Sequence, residues 1–462
     1  QNCVHHSRTL ADMALAIFPS SALRSRPWGL AHRAWLRSGR PLAFHLHSPA
    51  VTPADYPTPA EDAVLRQQFE ELTDLAEEGL GGRPLFATDE WFATADNLIK
   101  QSAAVFDPDA FCVQGKVMDG WETRRRRKPG HDWCVLRLGL PGFVHGIEID
   151  TAHFTGNQVP ACRVFGVEIP EDEDGEDAWL KAAARDDLGE QGSCSTEEQI
   201  SAAEEACRAV GAWVELVPLS RLRPGYGAET GECVHRFAVP EKYRGRRITH
   251  LRLNQHPDGG IARMRAWGIA SVNFATTLDP SRVGAIDLLS TLHGARAVAC
   301  SNKHYGEPRN LLRPGRGENM GSGWETARNP HRPPVLEQDA SGFVHMPGVC
   351  DWSVLRLGAV AQAIEELHID TNHFRGNYPE SVVVEACNDP GLTAANLTHA
   401  AWKELLPRTR VGPSADHVFK AGVDFDGKAI GEVTHVRVSI YPDGGLMRVR
   451  AIGKAARALT EF

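Results

Sequence analysis

Glu122, His153, Arg263 and Arg265, with Glu325, His373, Arg448 and Arg450, are the residues of this 462-residue chain whose types and spacing could do chemistry. A histidine near a carboxylate can move protons near neutral pH. Arginines at i and i+2 of a strand project from one face, and two guanidinium forks side by side suit a carboxylate. If residues 149–154 are extended, Thr151 and His153 share a face while Asp150 points away, and Thr371 and His373 repeat the arrangement. Asp150 and His153 then do not form one metal site unless a bulge intervenes; no cofactor is expected, and a divalent metal stays open without a ligand spacing to support it. Each candidate has a structural alternative. Trp121 and Trp324 read as core or pocket-wall aromatics before stacking platforms. His153 is a satisfied buried side chain as readily as a proton carrier, and Glu122 and Glu325 could cap turns. Nucleophile elbows, HExxH, GxxxxGK[ST] and GxGxxG are absent from the sequence. From the residues alone, the site is one for a small anion.

These residues sit in blocks that occur twice in the same order. Gly120-Trp121-Glu122-Thr123 returns as Gly323-Trp324-Glu325-Thr326. Residues 149–157 (IDTAHFTGN) return at 369–377 (IDTNHFRGN), and Pro257-Asp258-Gly259-Gly260 returns as Pro442-Asp443-Gly444-Gly445. The chain therefore holds two diverged copies of one domain, expected at about residues 61–275 and 283–455. Short alternating runs at 135–138, 249–253 and 434–440, punctuated by Gly, Pro, Asn and Asp, predict an all-β protein of two tandem sandwiches. Helix is expected only at the edges. Leu65, Phe69, Leu72 and Leu75 predict a helix over 61–78, ended by Gly79. An insertion at about 171–211 opens with acidic residues and offers Ser195 and Glu198 as a capping box, reading as a surface elaboration.

The net charge of −9 divides unevenly: residues 1–54 carry six arginines against Asp12 alone, which leaves −14 on the remaining 408 residues. An acidic body argues against a nucleic-acid partner, and Arg124, Arg125, Arg126, Arg127 and Lys128 read as a solvated loop. No apolar stretch is long enough to span a membrane. Ten cysteines without a CxxC pair fit a reducing, cytoplasmic setting. The basic leader reads either as a transit-like segment for organellar import or as an extension with no fold of its own.

The blocks at 118–125, 130–133, 149–157 and 213–219, with 321–326 and 369–377, resemble the allantoicase family over about residues 61–455. That resemblance implies tandem jelly-roll sandwiches similar to galactose-binding-like domains, a homo-oligomer, and hydrolysis of allantoate to ureidoglycolate and urea in purine (allantoin) breakdown. Allantoate bears a carboxylate and two ureido groups on one carbon. The expected roles are then Arg263 and Arg265, or Arg448 and Arg450, on the carboxylate, with Asn157 or Asn377 on a ureido arm. His153 or His373, with Glu122 or Glu325, serve as general acid and base. Thr151, Thr371, Trp121 and Trp324 complete the expected substrate contacts. The alternatives are a non-catalytic sugar- or anion-binding protein and a hydrolase of another ureido acid.

Overall fold

The structure, a computed structural model, describes residues 52–169, 180–181, 183–346, 349–427 and 430–459. The basic leader, apart from its last three residues, and the acidic run at 171–177 lie outside the described residues. Two eight-stranded antiparallel sheets follow one another along the chain, one in each copy. Each is organised around one long strand, Trp133–Asp150 or Asp351–Asp370. The first part of Trp133–Asp150 pairs with Arg83–Ala87 and Arg247–His256, its second part with Val234–Ala238 and Arg263–Ala270. Asp351–Asp370 repeats the pattern with four strands of its own copy. A strand shared in this way folds the sheet into two layers, and alternate residues meet between them. Leu136, Leu138, Ile147, Ile149, Leu251, Leu253 and Met264 form that core in the first copy. Leu355, Leu357, Leu367, Ile369, Val436, Val438 and Val449 form it in the second.

Local chemistry explains the departures from the expected elements. The first helix spans Pro59–Phe69, a shorter run than 61–78, and Thr58 and Glu61 close its capping box. Beyond it Asp74 Oδ1 accepts the Ala76 and Ala266 N–H groups, which turns Thr73–Asp74 into a strand beside Trp267 and Gly268. Leu75 is thereby buried as a strand-side residue. In the insertion the capping box is Thr196 with Gln199, one residue later than Ser195 with Glu198, and the helix spans Glu197–Ala209. This insertion is more than a surface elaboration: Ala203 and Cys207 pack with Phe86 and Trp133. Glu204 pairs with buried Arg252 at 2.6 Å, and the Arg252 guanidinium lies 3.8 Å from the Trp133 ring centroid.

Residues 149–154 are not extended throughout. The strand ends at Asp150, whose Oδ1 accepts the Ala152 N–H at 2.8 Å. This is the local turn that aspartate favours. His153 then adopts φ 71° and His373 φ 69°. The strand parity expected for Thr151 and His153 does not apply.

Candidate active site

Glu122 is placed by short backbone pairings. Trp121–Glu122 pairs with Gly260–Ile261, and a bridge joins Glu122 to Ala93 on the other side. The Pro-Asp-Gly-Gly turn makes this close approach feasible. Gly259 has φ 132°, and a Cβ at Gly260 would lie 2.0 Å from the Phe154 ring. The Gly260 N–H donates to the Asn157 carbonyl at 2.8 Å, and the Asn157 Nδ2 donates to Glu122 Oε1 at 2.7 Å. Turn, asparagine and carboxylate thus form one unit.

A cleft of about 250 Å³ opens over this unit, lined by Glu122, Asn157, His153, Thr155, Phe92, Phe106, Lys116 and Met118. Glu122 is 8% exposed. Burial pushes its carboxyl up to about 7, against the opposing hydrogen bond from Asn157. The group therefore exchanges a proton near neutrality. His153 stacks on Phe106, with ring centroids 5.7 Å apart. Its Nε2 lies 3.1 Å from the Ala104 carbonyl. A carbonyl only accepts, so that hydrogen bond puts a proton on Nε2, and in the neutral ring Nδ1 is then the acceptor. Lys116, on a hairpin formed by Phe111–Cys112 and Gly115–Lys116, holds its Nζ 5.1 Å from the Phe106 ring centroid. Sequence reasoning missed Lys116 because it has no counterpart in the second copy. Its nearness to the Trp-Glu motif was the available signal.

The structure brings Glu122, His153 and Asn157 together and places the other candidates elsewhere. Arg263 is 2% exposed, and its guanidinium donates to the Ser102, Ala262 and Asp119 carbonyls and to Asp119 Oδ2 at 2.7 Å. Burial raises the Asp119 carboxyl, but Arg263 and the Val105 N–H hold it below its ordinary value. Arg265 is engaged by Asp74 at 3.3 Å and by the Gln101 carbonyl. The first-copy arginine fork is therefore spent on the scaffold. Thr151 and Thr371 are fully buried and donate to carbonyls, Thr151 to Arg223 and Thr371 to Gly412. Trp121 and Trp324 are core residues whose indole N–H groups donate to the Asp89 and Asn302 carbonyls. None of these four lines the cleft.

In the second copy Asn377 donates to Glu325 and His373 Nε2 lies 2.9 Å from the Gly317 carbonyl, so the constellation is repeated. Its cover is not repeated. Residues 100–120 connect the preceding 3₁₀ turn to the first Trp-Glu pair, whereas residues 313–323 suffice in the second copy. Glu325 is only partly buried. The seam between the copies has a cleft of about 230 Å³, but its Glu77 and Arg313 pair with each other and the Arg309 guanidinium lies over Trp267. Among the described residues no group of three His, Cys, Asp or Glu side chains could hold a metal ion.

Two sandwiches of one design thus follow each other along the chain, and the first carries a cleft lined by a carboxyl raised to about 7, an amide, an imidazole and a lysine. The allantoicase repeat family matches residues 73–271 and 286–456, and the chain belongs to that family. A probable allantoicase of Pseudomonas syringae pv. syringae is 36% identical over 394 residues, covering 84% of this chain and 98% of that protein. One from Rhizobium meliloti is 38% identical over 388 residues, covering 83% and 94%. The crystal structure of allantoicase from Saccharomyces cerevisiae superposes with a TM-score of 0.60 at 30% identity, covering 86% of this chain and 99% of that one.

Proposed function

We propose that the first-copy cleft is where this family member hydrolyses allantoate to ureidoglycolate and urea, a step of allantoin degradation. The observation that carries the reading is the buried Glu122 carboxyl, pushed up to about 7 and held by Asn157. Such a group is an acid and a base at the same working pH. Lys116 receives the substrate carboxylate, the role first expected of arginine. Asn157 Oδ1 accepts from a ureido N–H. Protonated Glu122 donates to the nitrogen of the departing urea while the C–N bond breaks. The nitrogen of the remaining ureido arm supplies the electron pair for a C=N bond, losing its proton to His153 Nδ1. Water then adds its oxygen to the carbon of C=N, its proton passing to the Glu122 carboxylate while His153 Nδ1 returns its proton to the nitrogen; both groups are reset, and the sum is allantoate plus water giving ureidoglycolate plus urea. The test is urea release from allantoate by Glu122→Gln and Glu325→Gln variants. Loss in the first alone supports the assignment, and loss in the second alone moves the site to the other copy.

The partner is a small molecule, with no nucleic acid or membrane required. No helix among the described residues is long and apolar enough to cross a membrane. Nine cysteines among the described residues, all free, fit a cytoplasmic setting. The exposed Phe111, Val113 and Val117 beside the cleft give a homo-oligomer an apolar surface to bury. Light scattering on the full chain reads that assembly.

A further inference from the structure

Outside the cleft, the second copy has a cavity of about 320 Å³ whose lining includes Arg316, Arg448, Arg450, Asp370, Asn372 and Ser414. Its origin is legible from the repeat. Arg263 faces Asp150 and Arg265 faces Glu148 across the first sheet, and Arg448 faces Asp370 and Arg450 faces His368 in the second. Arg450 keeps the ion pair of its counterpart: Asp287 at 3.2 Å replaces Asp74 at 3.3 Å on Arg265. Two acids are lost, however. His368 stands where Glu148 stands, and Ser322 stands where Asp119 stands.

The second replacement is the informative one. Arg263 Nη1 donates to the Asp119 carbonyl at 3.1 Å and Arg448 Nη1 donates to the Ser322 carbonyl at 2.7 Å, so the backbones correspond. The partners of Arg263 Nη2, the Asp119 carboxylate at 2.7 Å and the Ala103 carbonyl at 3.4 Å, are what Arg448 lacks. Arg448 is 4% exposed, and among the described residues no carboxylate lies within ion-pair distance of its guanidinium. Burial, then the Arg450 and Arg313 guanidiniums, pull its pKa down to about 10. Asp370 and Glu77 oppose that shift from beyond ion-pair distance, and a nearly buried cation with no carboxylate in contact is costly unless something supplies the charge. Arg316, exposed at the rim, adds a second free fork.

We propose that this cavity is a second ligand site, taking the carboxylate of a small ureido acid on Arg448 and Arg316. Asp370, Asp416 and Asn372, which line the same cavity, accept its N–H donors. Either the substrate or the product of the proposed reaction has this chemistry, and the ligand class rests on that reading while the site does not. The two acids in the lining disfavour a simple inorganic anion and favour a molecule with both a charge and N–H groups.

Isothermal titration of the full chain with hydantoate, a ureido acid without a second ureido group to expel, tests this. Ser322→Asp restores the counter-ion of the first copy and is expected to remove one hydantoate site per chain. Arg316→Ala, at an exposed position, is expected to weaken that site about tenfold, the loss of one charge-assisted contact. Parallel titrations with allantoate and ureidoglycolate, in a Glu122→Gln background, say which of the two occupies the cavity. Unchanged stoichiometry in Ser322→Asp together with unchanged affinity in Arg316→Ala overturns the proposal. Binding is read without turnover, so an active Glu122→Gln enzyme would sink the catalytic assignment and leave this test standing.

Discussion

The two copies hold the same glutamate, asparagine and histidine in the same relation, yet they present them to different surroundings. In the first copy, residues 100–120 carry Phe106, the Phe111–Lys116 hairpin and Met118 over Glu122, and the insertion supports the same wall, with Gln191 Nε2 donating to the Phe92 carbonyl at 2.6 Å. In the second, a shorter connection leaves Glu325 partly exposed. The arginine pair shows the reverse. Asp119 closes it in the first copy, and Ser322 leaves it open in the second. One scaffold thus holds a closed acid and a spent cation on one side, an open acid and an available cation on the other. Duplication lets two surfaces of a single fold specialise separately.

Replacing Glu122 by Gln should break the comparison most sharply, cutting urea release by about 10²–10⁴-fold, the usual contribution of a positioned proton donor. Glu325→Gln should keep activity within about threefold on the same scale. Equal losses in both would mean that the copies share one mechanism and that the cover is irrelevant.

The same substitution has a second readout. The Glu122 carboxyl is raised from 4.5 to about 7 in the folded chain. Its contribution to stability is therefore fully present below the unfolded value and is lost as pH rises through about 7. Relative to wild type, Glu122→Gln should gain stability through that window, by up to roughly 3 kcal/mol at 1.36 kcal/mol per unit, seen in urea unfolding at pH 8 against pH 5. Wild-type kcat/KM for allantoate should fall above pH 7, because the departing urea needs the protonated carboxyl. A rate that climbs through this range would assign Glu122 as base alone.

His153→Ala should lower the rate about 30-fold and His373→Ala by less than about threefold, as expected for a proton acceptor facing substrate in one copy only. Near-normal rates in both would remove histidine from the mechanism. The smallest effect is expected of Lys116→Met. KM should rise about tenfold with kcat nearly kept, the loss of one exposed charge-assisted contact made equally in ground and transition state. A fall in kcat instead would place Lys116 in the chemical step.

Much of this was legible without coordinates. Repeated motifs implied two copies of one β domain, because a duplicated fold repeats its turns and core. The Glu122, Asn157 and His153 grouping was legible for the same reason. The parity argument for His153 failed because Asp150 ends the strand through its own side chain. That Arg263 and Arg265 are drawn into the scaffold was not legible, because a guanidinium's use depends on which carbonyls and carboxylates reach it, and Ser102, Asp119 and Gln101 are distant in sequence from them.

By itself the sequence determined the architecture, the family and the residue types from which the site is built, since alternation, turn chemistry and repeats are local properties. Only the tertiary structure decided which glutamate is buried under a cover and which arginine has no carboxylate in contact. Both are set by the dielectric and the charges around a side chain: the cover of Glu122 comes from a connection longer than its counterpart, and the carboxylate on Arg263 comes from Asp119, which the second copy replaces by Ser322.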